Sequence, residues 1–249
     1  MDALQTNPDS ACDRRYHRLL ARIQRKYQTT TEDLRFGDIT IRFTRVADPD
    51  LVLDEIVAEE DRREKISGVR LQDPLHLPYW AELWESALGI AGAMTAMQIA
   101  PGTRVLDLGC GMGLAGAAAA SMEAHVMLAD LEAPALLFAR LNCVRFGPKI
   151  RVRRLNWQVD RLGERFDLIL GADILYERKQ WEFLDAFWKE HLADGGSVLL
   201  GEPGRQSGEL FVPWIAQQGW DLRETAEQIA MKQKPVRIFR LHRKTHAQK

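Results

Sequence analysis

Apolar positions along this chain follow two rhythms, and the change between them falls near residue 79. Over residues 13–27, Tyr16, Leu19, Leu20, Ile23 and Tyr27 recur every three or four positions, which predicts an amphipathic helix with Arg14, Arg18 and Arg22 on another face. Leu34 and Phe36, then Gly37-Asp38, then Ile39, Ile41 and Phe43 predict a hairpin around a two-residue turn. An acidic helix is expected over 50–64. Beyond residue 79 short apolar runs alternate with longer helical patterns. A helix is expected from Trp80 to Gln98, ending before Pro101-Gly102. Strands follow at 104–108, 125–129, 150–155, 166–171, 197–200, 219–223 and 236–241. Helices are expected between them at 113–121, 132–145, 178–192 and 207–217, and Asp194-Gly195-Gly196 is read as the turn into the fifth strand. The last strand alternates apolar and basic residues, which suits an edge-like antiparallel strand. The alternation as a whole predicts an α/β fold: a doubly wound, mostly parallel sheet with an antiparallel last strand and an N-terminal helix and hairpin extension.

Composition narrows the class. A chain of 249 residues makes one large domain, or a domain with an extension, and can bury a substantial core. Its 46% apolar and 28% charged residues are ordinary for a globular protein, and a net charge of −1 supplies no global field for nucleic acid. Cys12, Cys110 and Cys143 are too scattered for a metal pattern or a disulfide framework, so reduced thiols and a cytoplasmic location are expected. The first residues, Met-Asp-Ala-Leu-Gln, have no apolar signal core. The charge-free stretch 88–103 contains Gly, Thr, Gln and Pro and falls short of a membrane span.

The densest chemical signal is Val-Leu-Asp-Leu-Gly-Cys-Gly-Met-Gly-Leu-Ala-Gly at 105–116. A strand carrying Asp107 breaks into Gly109, Gly111 and Gly113 and then enters a small-residue helix. Such a turn lets backbone lie against a ligand, with a helix N-terminus aimed at the same place. Gly111, Gly113 and Gly116 also fit a dinucleotide spacing, with Asp130 as the later acid. Asp107 argues against that reading, because a carboxylate just before the turn repels a pyrophosphate. It suits a ligand with a positive end and no phosphate, such as S-adenosylmethionine.

Further candidates lie at the carboxyl ends of the expected strands, where such sheets bind ligands. Asp130 can accept both hydroxyls of a ribose, or start the next helix. Asn156-Trp157 can meet an adenine edge and face, or serve as a loop residue beside a core indole. Asp173 and Tyr176 follow Ala172 three residues apart and share one side if a helical turn begins there. The stretch Leu77-Pro78-Tyr79-Trp80-Ala81-Glu82-Leu83-Trp84 can form a lid or pocket wall, or pack in the core. Gly201-Glu202-Pro203-Gly204-Arg205 is placed to reach a substrate.

Residues 76–205 resemble the class I, seven-β-strand S-adenosylmethionine-dependent methyltransferases, whose sheet is Rossmann-like, and most closely their protein lysine methyltransferase branch. The resemblance rests on Tyr79-Trp80-Ala81-Glu82-Leu83-Trp84, the glycine segment, Ala129-Asp130-Leu131, Asn142, and the D-x-x-Y stretch from Asp173 to Tyr176. It implies a methyltransferase domain over 76–249; residues 1–75 match only loosely, and because their basic helix and hairpin lie outside the cofactor fold they are expected to form an accessory region that helps present the substrate. It implies cofactor contacts at Trp84, Asp107, Gly109, Gly111, Gly113, Asp130, Asn156, Trp157 and Ala172, and catalytic roles for Asp173 and Tyr176. The branch usually has Asp-Trp where this chain has Asn156-Trp157.

The implied reaction is methylation of a protein lysine, with no metal and no nucleophile from the enzyme. The catalytic contribution expected is alignment of the acceptor nitrogen with the methyl–sulfur bond. A small-molecule amine as acceptor and a non-catalytic partner-binding module are the alternatives. A nicotinamide-dependent reductase is a third; it lacks an evident catalytic pair.

Overall fold

The computed structural model describes residues 11–67, 77–229 and 234–244. In chain order the elements are α1 (Ala11–Gln24), β1 (Thr29–Phe36), β2 (Ile39–Val46), α2 (Pro49–Ser67), α3 (Glu85–Met97), β3 (Arg104–Leu108), α4 (Leu114–Ser121), β4 (His125–Asp130), α5 (Ala133–Asn142), β5 (Ile150–Arg154), β6 (Phe166–Ala172), α6 (Trp181–His191), β7 (Leu192–Glu202), α7 (Gln206–Gln217), β8 (Trp220–Glu227) and β9 (Val236–Arg243). Short 3-10 turns occupy Tyr79–Ala81, Val144–Lys149 and Arg178–Gln180.

β1 and β2 form the expected antiparallel hairpin, Phe36 opposite Ile39, with Gly37 at φ +55° in its turn. The other seven strands make one sheet in the order β5-β4-β3-β6-β7-β9-β8. It is parallel from β5 to β7, and β9 runs antiparallel to both of its neighbours.

Pleating sends alternate residues to opposite faces. Val105, Val126, Leu128, Leu168 and Leu170 share a core with Ile90 and Met94 of α3, the alanines of α4, and Phe138 of α5. Leu106, Leu108, Met127 and Ile169 share the other core with Trp181, Phe187 and Trp188 of α6 and Phe211 and Ile215 of α7. Helix α4 is nearly all small residues, which lets it lie close on the sheet. A Cβ added at Gly116 would come within 2.2 Å of Leu128 Cδ2. Gly116 is therefore set by helix–strand packing.

The N-terminal elements share the first of these cores. Ile23, Tyr27, Ile41, Phe43, Val46 and Val52 are buried in it. Asn142, the last residue of α5, fastens the hairpin: its Nδ2 donates to Thr44 O and Met112 O, both at 2.9 Å, and its Oδ1 accepts the Thr44 N–H at 2.8 Å. The domain boundary expected at residues 75–76 falls on a segment outside the described residues.

Three local expectations are corrected. The helix expected from Trp80 begins at Glu85, because Glu82 and Trp84 are extended (ψ 146° and 137°) and separate the turn at Tyr79–Ala81 from α3. The fifth strand of the sheet begins at Leu192 rather than Ser197. Phe166 faces Leu192 while Leu168 faces Ser197, so the Asp194–Gly196 segment is a bulge inside the strand, with Gly195 at φ +75°. The last strand is antiparallel as expected but is not at the edge. β8 pairs along its outer side, and Arg237 of β9 finds a partner there, gripping Glu224 through Nε–Oε1 at 2.7 Å.

Candidate active site

β3 lies between β4 and β6, and the loops leaving the carboxyl ends of these strands meet. Gly109, Gly111 and Gly113 have φ of +67°, +52° and +85°, a region that side chains with Cβ avoid. Gly113 is fixed sterically as well, since a Cβ there would lie 2.9 Å from Ala139 Cβ. A Cβ at Gly111 would meet nothing nearer than Trp80 O at 3.9 Å, so the backbone is open on that side.

Two carboxylates hold this loop. Asp130 Oδ2 accepts the Gly111 N–H at 2.8 Å, and its Oδ1 accepts the Glu132 N–H at 2.9 Å. Asp130 thus ties the glycine turn to Glu132, the residue that caps α5, without being the N-cap itself, while each oxygen retains a further lone pair. Burial raises its pKa, and the Glu132 and Gly111 N–H groups oppose the rise. Asp107 accepts the Gly116 N–H at 2.8 Å and is only 1% exposed. Burial pushes its carboxyl up to about 7, against the Gly116 hydrogen bond. Through that hydrogen bond the Asp107 carboxyl fixes the entrance to α4.

Beyond β5, the Trp157 ring lies beside the loop, its Cζ3 3.6 Å from the position of a Gly109 Cβ. Its Nε1 donates to Gln180 Oε1 at 3.2 Å. Asn156 Oδ1 accepts the Gln158 N–H at 3.0 Å, so its acceptor atom is engaged in a local turn.

The β6 side is built from side chains. Ala172 ends the strand. Asp173 has φ +53°, unusual for a residue with Cβ, and donates its N–H to Gly201 O of β7 at 2.9 Å. That left-handed residue prevents the helical turn expected over Asp173–Tyr176, and α6 starts only at Trp181. The Asp173 carboxylate is gripped on both oxygens by Arg205, Nε–Oδ1 2.9 Å and Nη2–Oδ2 2.6 Å. Arg205 is held in turn by Glu202, a carboxylate 1% exposed whose Oε1 accepts the Gly204 and Arg205 N–H groups.

The aromatic stretch divides. Trp80 is 8% exposed and packs in the core against Tyr27 and Phe138, with ring centroids 5.4 and 5.9 Å away. Trp84 turns outward. Its Nε1 donates to Tyr79 O at 2.8 Å, and the Arg205 guanidinium lies 5.5 Å from its ring centre. Tyr79 stands 6.3 Å from Trp84 and 5.5 Å from Tyr176, ring to ring, and both tyrosines are nearly half exposed. Trp84, expected at the cofactor, is thus on the Tyr79–Tyr176–Arg205 rim. Burial, then Glu177, Tyr79 and Asp173, push the Tyr176 phenol up to about 12, so it keeps its proton at neutral pH. Glu82 is raised by burial and by Glu85 and Asp50, with Arg205 acting in the opposite direction.

The sequence reading named the Arg205 segment but missed the pairing with Asp173. No short motif carries that signal. Among the described residues no cluster of three or more His, Cys, Asp or Glu can hold a metal, and no helix is long and apolar enough to cross a membrane.

The fold has solved counterparts. A TehB-like SAM-dependent methyltransferase from Corynebacterium glutamicum superposes with a TM-score of 0.51 at 19% identity, over 78% of this chain and 99% of that one. The glycopeptide N-methyltransferase MtfA, solved with S-adenosylmethionine, gives a TM-score of 0.54 at 15% identity, over 63% and 88%. The fold is that of the class I S-adenosylmethionine-dependent methyltransferases. Residues 80–212, more than half of the chain, match the model of the lysine methyltransferase family, and the chain belongs to that family. It is 33% identical over 135 residues to the electron transfer flavoprotein beta subunit lysine methyltransferase of Xenopus laevis, covering 51% of this chain and 53% of that protein. It is 34% identical over 138 residues to protein N-lysine methyltransferase METTL21A of Danio rerio, covering 52% and 62%. The match thus spans less than two thirds of either relative.

Proposed function

We propose that this protein transfers the methyl group of S-adenosylmethionine to the side-chain nitrogen of a lysine in a protein substrate. The observation that carries the reading is the placement of Asp173, Tyr176, Tyr79 and Trp84 at the end of β6, the strand adjoining the one that feeds the glycine loop. Family membership and the activities for which the relatives are named support the same acceptor class.

The residues present fit the cofactor. Gly109, Gly111 and Gly113 offer backbone with an open side at Gly111, Asp130 offers acceptor lone pairs for a ribose diol, and Trp157 offers an indole beside the loop. The bound cofactor supplies an electrophilic methyl carbon on a sulfonium. Asp107 serves by fixing the loop, and Ala172 by ending β6 beside it.

A lysine amine has an ordinary pKa near 10.4 and must lose its proton before it can attack. Tyr176 is not the base, since its phenol holds its own proton to about 12. Tyr79 and Tyr176 are open to solvent, and water takes the proton there. Asp173 then orients the amine through a hydrogen bond, while Tyr79, Trp84 and Tyr176 line its approach. The basic helix α1 and the N-terminal hairpin lie outside the cofactor loop and in this reading help present the substrate. Buried, unpaired Cys110 and Cys143 suit a reducing compartment, and we place the protein in the cytoplasm.

Calorimetry with S-adenosylmethionine, S-adenosylhomocysteine and NAD, followed by incubation of host lysate with enzyme and methyl-tritiated cofactor, tests the proposal. Binding of the first two and a labelled protein band whose label resides on lysine are expected. Label confined to small molecules would transfer the reading to a small-molecule N-methyltransferase, and no cofactor binding would leave a partner-binding module.

A further inference from the structure

The pair formed by Asp173 and Arg205 presents an electrostatic problem. A bare carboxylate at the acceptor position favours the ammonium form of an incoming lysine, and that form has no lone pair with which to attack. Further acids lie around the rim groups that adjoin this carboxylate. Glu82 precedes α3 and Glu85 begins it, Asp50 lies in α2, Glu202 ends β7, and Glu177 follows Tyr176. The rings of Tyr79 and Tyr176 face the same space, 5.5 Å apart, and the Tyr176 phenol keeps its proton. Glu177 is paired with Lys179 at 3.3 Å and Glu202 with Arg237 at 3.4 Å, whereas the fork of Arg205 covers both Asp173 oxygens rather than pointing at the outer acids.

Arg205, whose side chain is 41% exposed, is held at several points. Its backbone N–H is fixed by buried Glu202, its guanidinium lies over Trp84, and the side chain of its partner Asp173 is only 6% exposed. The resulting design has two zones. The outer carboxylates attract a cationic lysine, and the inner pair carries no net charge.

We infer that Arg205 is a positioning residue that keeps the Asp173 carboxylate charge-compensated, so that the acceptor mouth holds the incoming nitrogen as a neutral amine rather than as an ammonium ion. This rests on the methyltransferase reading above and adds to it a residue and a selection for protonation state. The ammonium loses its proton to water at the rim, and the freed lone pair meets a neutral ion pair that orients it without drawing the proton back.

The test uses the full chain saturated with S-adenosylhomocysteine and n-butylamine, which is cationic at pH 7.5, as the probe. Arg205→Ala should bind n-butylammonium about tenfold more tightly than the wild type, the scale of one well-placed charge interaction. Arg205→Lys keeps the charge but loses the fork, and should fall between the two. The double variant Arg205→Ala with Asp173→Asn should lose the gain. In single turnovers on the labelled acceptor, the acid limb of the rate profile should move up by about one pH unit in Arg205→Ala, a change in the amine's ionisation in the complex, and return in the double variant. Equal n-butylammonium affinity in wild type and Arg205→Ala overturns the inference, as does a rate that falls equally at every pH. If Arg205→Ala does not fold, Arg205→Gln removes the charge while keeping most of the bulk. Failure of the wild type to methylate any protein would count against the function, while the n-butylammonium comparison would still decide the role of Arg205.

Discussion

The two sides of the site are made of different materials. On the β3–β4 side, three glycines in left-handed backbone and two carboxylates bonded to main-chain N–H groups define the geometry. On the β6–β7 side, an ion pair and three partly exposed aromatic rings define it, and the main chain only places them. A cofactor common to many enzymes suits a backbone cradle, which few substitutions can retune. An acceptor that differs from enzyme to enzyme suits side chains, which single substitutions can change.

The largest effect expected is on the cradle, through Asp107. Its folded pKa of about 7 exceeds its ordinary 3.8, so between these values the folded protein holds a proton that the unfolded chain has released. Stability from this group is full below about pH 4 and is lost as pH rises to 7, by at most about 4 kcal/mol. Asp107→Asn keeps an acceptor for the Gly116 N–H and removes the titration. In urea unfolding the variant should exceed the wild type by up to that amount at pH 8, with the gap closing toward pH 4. A gap that does not change with pH would mean that the buried charge is not what the cradle carries.

On the acceptor side, Asp173→Asn should lower single-turnover methylation roughly a hundredfold, the scale of a mispositioned reacting group, and leave S-adenosylhomocysteine affinity unchanged. Asparagine tolerates the left-handed backbone there, so folding should survive. Parallel loss of cofactor affinity would erase the division between the two sides. Asp130→Ala should do the reverse. It removes acceptors for Gly111 and for a ribose, and about 1.5–3 kcal/mol of binding, or tenfold to a hundredfold in affinity. Unchanged affinity in a folded variant would remove Asp130 from the cofactor site. The smallest effect belongs to Tyr176→Phe. Since the phenol is protonated to about 12, the rate should change by less than roughly threefold, evenly from pH 7 to 9. A variant whose pH profile moves would make the hydroxyl a participant.

This division also decides what the sequence could disclose. The cradle was legible because Asp107, Gly109, Gly111 and Gly113 are neighbours, and positive backbone dihedrals leave glycines behind. The hydrogen bond from Gly116 to Asp107 was not, because it depends on α4 lying against β3. On the other side Asp173 and Tyr176 were named, but the helical turn assumed for them does not exist. Nothing in an aspartate announces φ +53°. Arg205 stands 32 residues from Asp173 and meets it only because β7 pairs with β6, Ala172 beside Gly201. Trp80 and Trp84 are interchangeable as letters, and only the packing of Tyr27 on one of them sends Trp80 to the core. The sheet itself was read nearly strand by strand, since its apolar runs are local, while the edge position wrongly given to β9 depended on where β8 lies.

Asn142 joins the hairpin to the glycine loop by hydrogen bonds. A single amide side chain holds Thr44 through both its N–H and its carbonyl, and holds Met112 in the loop. The Thr44 amide cannot meet solvent deuterium until that junction opens. A ligand resting on Gly111 should therefore slow exchange at Thr44 without touching it, which makes an N-terminal amide a reporter of whether the loop is occupied.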